Sequence, residues 1–203
     1  MSLVQAFIYK DFIVVGGEKK ATLQGGIVVD NFNKVVKLNE VIIIGMTGTV
    51  EGNARLFSQF LNGDLSKKMD HPNLSYNEMI AITNKSYYDN QKFLNDHTIH
   101  SVVCGWNGKK LTGVAYFIET GKDKFTGPID VTPQYDNEIS IVNCGRNEHY
   151  WDAYKLLEKN NPRNILQIKN LFRDVIDIGM KYDKSINNNI SFEKIRKIDV
   201  CGN

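Results

Sequence analysis

Between Leu3 and Met46 the chain reads strand after strand, and this run limits the possible folds more than any other feature. LVQAFIY (3–9), DFIVVGG (11–17), KVVKL (34–38) and EVIIIGM (40–46) are each four to eight residues long and rich in Val and Ile. Turn residues separate them, Lys10-Asp11 after the first and LQGG at 23–26 after the second. The period changes after the small-residue elbow Thr47-Gly48-Thr49. Ala54, Phe57 and Leu61 then fall at helical spacing, predicting a helix over 50–61 that ends at Asn62-Gly63. Beyond the DHPN loop at 70–73, Ser75-Tyr76-Asn77-Glu78 forms a capping box that predicts a long helix running to about Leu94.

The sheet then resumes with SVVCGW (101–106), LTGVAYFIET (111–120) and EISIVNCG (138–145). Two helices follow. The first, Glu148 to Leu157, is predicted to place Trp151, Tyr154 and Leu157 on one face. The second, Ile165 to Tyr182, repeats Ile168, Phe172, Val175 and Gly179. Asn187 to Asn189 breaks the pattern before a last strand near 190–198. Strands, two helices, strands, two helices is not the alternation of a doubly wound fold. It predicts an α+β chain with helical layers outside a two-sheet core, and 203 residues suit a single domain over 1–203.

Charge excludes some partners. The 25 basic and 23 acidic residues nearly cancel, and Lys19-Lys20, Lys67-Lys68 and Lys109-Lys110 are scattered, so no nucleic-acid partner is expected. The apolar start at Leu3 to Tyr9 is shorter than a secretory apolar region and lacks a basic flank, and the run Val41 to Met46 is too short to span a bilayer. Cys104, Cys144 and Cys201 are an odd count that suits a reducing compartment. The expectation is a cytoplasmic chain with no membrane partner.

Turn geometry brings candidate chemistry together. A hairpin centred near Lys10 lays Ser2 opposite Glu18 or its neighbour, and Lys34 opens the next long strand. With Met1 removed, Ser2 carries both a hydroxyl nucleophile and a free α-amine whose ordinary pKa of about 7.7 to 8.0 suits a base at neutral pH. An ammonium on Lys34, held by Glu18, lowers the hydroxyl's proton affinity. Amides at Thr47-Gly48-Thr49 can stabilise an oxyanion. Cys144, five residues before His149, is a second candidate nucleophile. His97, His100 and Cys104 cross a helix-to-strand junction, so no metal site is expected. GGEKKAT lacks the spacing of a phosphate loop, and no cofactor is expected. Trp106, Trp151 and the tyrosines read as core or subunit contacts.

On these residues the chain resembles β-type proteasome subunits of the N-terminal-nucleophile hydrolase class, and is similar to the bacterial proteasome-like peptidase of the ATP-dependent heat-shock protease. IVVGGEKKAT resembles the family's strand-Gly-acid-x-x-Ala-Thr signature, NFNKVVKL its lysine strand and IIIGMTGTVEGNARLF its strand-Gly-helix element. HSVVCGWNGKKLTGVAYFIETG resembles the central hairpin, and IVNCGRNEHYWDAYKLL the Gly-Ser-Gly element with its helix. The resemblance implies a four-layer α-β-β-α sandwich. It sets Ser2 where the family has its nucleophile, usually threonine, Glu18 where it has an aspartate, and Lys34 on its lysine. Gly48 falls on the oxyanion glycine and Cys144 on a serine that hydrogen-bonds the nucleophile's amine. Asp183 and Ser185 fall on a late Asp-x-x-Ser pair, shortened here to Asp-x-Ser. The implied activity is hydrolysis of peptide bonds by a chain that self-associates into rings and is served by an ATP-dependent unfoldase. A ring subunit without activity and a small-amide hydrolase are the alternatives.

Overall fold

The computed structural model describes residues 2–22, 27–61, 71–120 and 126–201; the predicted turn at 23–26 and helix end at Asn62-Gly63 lie outside them. The chain opens as a hairpin of β1 (Val4–Ile8) and β2 (Phe12–Glu18), forms a short ribbon from β3 (Ala21–Thr22) and β4 (Val28–Val29), and continues into β5 (Val35–Asn39) and β6 (Ile42–Gly48). Helices α1 (Val50–Leu56), α2 (Tyr76–Asp89) and α3 (Gln91–Leu94) follow, then strands β7 (Ile99–Trp106), β8 (Leu111–Ile118), β9 (Thr126–Asp130) and β10 (Ser140–Cys144). Helices α4 (Asn147–Asn160) and α5 (Ile165–Gly179), strand β11 (Ile190–Arg196) and the short α6 (Lys197–Val200) complete it.

Two antiparallel sheets result, ordered β10-β1-β2-β11 and β5-β6-β7-β8-β9. They face each other through Val4, Ala6 and Val15 on one side and Ile43, Val102 and Ala115 on the other. Gly45 marks a tight approach, since a Cβ there would lie 2.6 Å from Val4 and 3.1 Å from Val15. The outer face of the first sheet, with Leu3, Phe7 and Val14, packs on Ile168, Phe172 and Val175 of α5. The outer face of the second, with Ile44, Met46 and Val103, packs on Leu56, Met79 and Leu94. The layers run α-β-β-α, as the sequence predicts. Every residue of β1 and β2 is buried. Strands covered on both faces need apolar residues at odd and even positions alike, which explains why these strands read as nearly continuous apolar runs, broken only by the buried Gln5 and Glu18. Among the described residues no helix is long and apolar enough to cross a membrane.

Three local expectations are corrected, and one strand is found that was not expected. The helix predicted over 50–61 ends at Leu56: Phe57 leaves helical geometry, and a separate turn from Phe57 to Leu61 still delivers Phe57, Phe60 and Leu61 to the core. The long helix over 75–94 breaks at Asn90, whose side chain donates to the Ser86 carbonyl at 2.7 Å and accepts from Arg55 at 2.6 Å. Such side-chain bonds compete with the helical ladder. Strand β9, TGPID, escapes a reading by β-propensity because it contains Gly and Pro; as the sheet's edge it tolerates a residue that cannot donate. On α4 the buried stripe is His149, Ala153 and Leu157, whereas Trp151 is 56 % exposed and Tyr154 39 %. Steps of three drift round a helix, so Trp151 and Leu157 point roughly 120° apart.

Candidate active site

A two-residue turn at Lys10-Asp11, closed by Tyr9 N–H to the Phe12 carbonyl at 2.9 Å, pairs Val4 with Gly17. The next step of that register brings Leu3 to Glu18, and the two exchange bonds: Glu18 N–H donates to the Leu3 carbonyl and Leu3 N–H to Glu18 Oε1, both at 3.1 Å. Ser2 therefore lies one place beyond, beside the acid's neighbour. Glu18 is fully buried at the end of β2, and its Oε2 accepts from Lys20 N–H at 2.7 Å. Lys34, 3 % exposed just before β5, donates its ammonium to Glu18 Oε1 and to the Lys20 carbonyl. Burial pushes the Lys34 pKa down and outweighs the lift from the Glu18 charge and hydrogen bond, so this amine releases its proton more readily than an exposed lysine.

Ser2, Lys34, Gly48 and Ser185 line one cavity of about 200 Å³, with Met46 and Val50 on its apolar wall. Gly48 closes β6 with φ +94°, and a Cβ there would sit 2.1 Å from the Thr98 carbonyl oxygen. Only glycine fits that elbow. Thr49 N–H donates to the same carbonyl at 2.7 Å, and α1 starts at the next residue. Asn53, on the first turn of α1 and 1 % exposed, donates its side-chain amide to the carbonyls of Thr47 and Thr49 at 2.8 and 2.9 Å.

The other wall comes from the segment after α5. Asp183 Oδ1 accepts from Ser185 N–H at 2.9 Å and from Ser185 Oγ–H at 2.6 Å, and its Oδ2 lies 3.1 Å from His149 Nε2. Burial raises the Asp183 pKa, but the Ser185 and His149 hydrogen bonds prevail and hold its carboxyl below the usual carboxylate range. The other His149 nitrogen, Nδ1, lies 2.9 Å from the Tyr182 hydroxyl, which donates to Asp152 at 2.6 Å.

Cys144 stands apart from this group. It pairs with Val4 across β10 and β1, packs with Ala6 and Val142 between the sheets, and does not line the cavity. Burial pushes its thiol pKa up, the opposite of what a nucleophilic cysteine needs. The neighbouring Gly145 touches the chain start, since a Cβ there would be 2.8 Å from the Ser2 carbonyl oxygen.

Thus Ser2, Lys34, Gly48 and Ser185 share a cavity, Glu18 and Asp183 support it from behind, and Cys144 belongs to the inter-sheet core. Sequence reasoning missed Asn53 and gave His149 a different partner. The signal for Asn53 is faint, an amide in a first helical turn that looks like a surface residue until the sheet covers it. The signal that could have placed His149 on the buried face of α4 is its four-residue spacing to Ala153 and Leu157.

Comparison with known proteins follows the same lines. The family model described as Proteasome subunit matches residues 3–116. Among solved structures, the chain is similar to eukaryotic HslV from Trypanosoma brucei, with 16 % identity and a TM-score of 0.61 over 96 % of this chain and 99 % of that one. It is also similar to Anbu from Hyphomicrobium sp. strain MC1, with 11 % identity and a TM-score of 0.69 over 96 % of this chain and 82 % of that one. A Gly-1 mutant of Anbu gives 10 % identity and the same TM-score, over 97 % of this chain and 82 % of that one. No curated protein sequence matches. At such identities the likeness to solved structures speaks for the fold.

Proposed function

We propose, from the premise that this chain belongs to the proteasome subunit family, that it hydrolyses peptide bonds with Ser2 as its nucleophile once Met1 is removed. The observation that carries this reading is the convergence of Ser2, Lys34 and Gly48, from three separate stretches of chain, on one cavity. The Ser2 hydroxyl attacks the scissile carbonyl, and its proton passes to the freed α-amine and then to the leaving amine. Lys34, held by Glu18 and depressed by burial, adjusts the proton affinity of that pair. The Gly48 amide faces the charge that develops on the carbonyl oxygen. Ser185 faces the amine from the far wall, and Asp183 holds Ser185 from behind. Water then releases the acyl group and restores the serine.

Self-association into rings, service by an ATP-dependent unfoldase and a cytoplasmic setting belong to the same proposal. A second reading, a ring subunit without activity, draws on Cys144: where the family has a serine near the amine, this chain has a thiol buried in the core.

Intact-mass measurement on protein from the native gene separates the two. Met1 retained on essentially all molecules ends the Ser2 mechanism. Where Met1 is gone, Ser2→Ala and Lys34→Ala should each abolish hydrolysis of fluorogenic peptides, and unchanged rates reject the assignment. A panel of small amides run beside the peptides identifies a small-amide hydrolase by the opposite preference.

A further inference from the structure

We propose that Asn53 is a positioning residue that aims the oxyanion donor at Gly48; this rests on the reading of Gly48 given above. The elbow Thr47-Gly48-Thr49 joins the end of β6 to the start of α1, and Asn53 grips it on both sides of the glycine. Its side-chain amide donates to the Thr47 carbonyl at 2.8 Å and to the Thr49 carbonyl at 2.9 Å. Its own oxygen is fixed in turn, because Ser101 Oγ–H on β7 donates to Asn53 Oδ1 at 2.6 Å. Both side chains are essentially buried, at 1 % and 0 % exposure.

The geometry acts through the peptide plane. In a trans peptide the N–H points opposite to the carbonyl that precedes it. Holding the Thr47 carbonyl against Asn53 therefore sends the Gly48 N–H the other way. Gly48 lines the cavity, so the direction of that N–H is the direction of the proposed oxyanion donor. Glycine has the widest choice of backbone conformations, and the two Asn53 bonds help hold this one at φ +94°. Donors fixed before the reaction stabilise the transition state because nothing has to reorganise as charge develops.

The test compares wild type with Asn53→Ala, Asn53→Asp and Ser101→Ala, all with Met1 removed. Hydrogen exchange of amides 47–49 should quicken at least about tenfold in Asn53→Ala, while exchange in β1 and β2 stays as in wild type. In peptide hydrolysis kcat should fall about tenfold to a hundredfold with KM within about twofold, short of the full effect of deleting a donor. Asn53→Asp keeps the volume but loses the donors, so it should not rescue kcat. Ser101→Ala, the milder change, should lower kcat severalfold and carries the test if Asn53→Ala fails to fold. Unchanged exchange, a wild-type kcat in Asn53→Asp, or a loss expressed wholly in KM overturns the proposal. An inactive wild type rejects the peptidase reading instead, and the exchange data then decide by themselves whether Asn53 holds the elbow.

Discussion

The buried pair of Glu18 and Lys34 sets what single residues do here. A charge at 3 % exposure survives only because Glu18 and the Lys20 carbonyl accept from it, while the Leu3 and Lys20 amides donate to the Glu18 carboxylate. Glu18→Gln should therefore cost about 3 to 5 kcal/mol in urea unfolding, since it strands the ammonium, and Glu18→Gln with Lys34→Met should recover much of the loss. The pH dependence has a definite sign. Folding holds Lys34 below its ordinary value of 10.5, so between the lowered folded value and 10.5 the unfolded chain binds more protons. Stability from this group rises with pH across that window, and the double variant should lack the rise when unfolding is followed from neutral to alkaline pH. Both residues were legible because the hairpin and the next strand place them by spacing alone. Asn53 and His149 were not, because their roles depend on what packs against the helices that carry them.

At the scale of elements, the signals that held are local ones. Ser75 caps α2 by accepting from Glu78 N–H, and Glu78 returns a bond to the Ser75 N–H at 2.9 Å, as the four-residue pattern predicts. Ser75→Ala should lower stability by about 1 kcal/mol, read as a lower melting temperature with an unchanged fold. The elbow after β6 gives a sharper case. Gly48→Ala forces a Cβ within 2.1 Å of the Thr98 carbonyl and strains a positive φ, so it should cost at least about 1 to 3 kcal/mol and shift the amide shifts of both β6 and α1. The elements misread share a cause. Asn90, the buried face of α4 and edge strand β9 are each decided by a neighbour: Arg55 reaching Asn90, a sheet lying under His149 and Ala153, and a β8 partner for a strand too rich in Gly and Pro to declare itself.

For the whole molecule, the two sheets meet where Gly45 leaves no room. Gly45→Val must part β6 from Val4 and Val15, and should cost about 1 to 3 kcal/mol or more by overpacking, with faster hydrogen exchange in both sheets. The proposed ring makes a separate demand, that light scattering find a mass several times 23.1 kDa; a clean monomer counts against a closed assembly. The order of strands and helices, and the apolar runs that need cover on both faces, were set by the sequence itself, because backbone pairing and burial follow residue type along a few positions. Which helix face turns inward, and which polar groups meet in the cavity, was decided only in three dimensions. Those choices depend on residues far apart in the chain, such as Asn53 with Ser101 and His149 with Asp183, and no local pattern encodes a partner that packing has yet to supply.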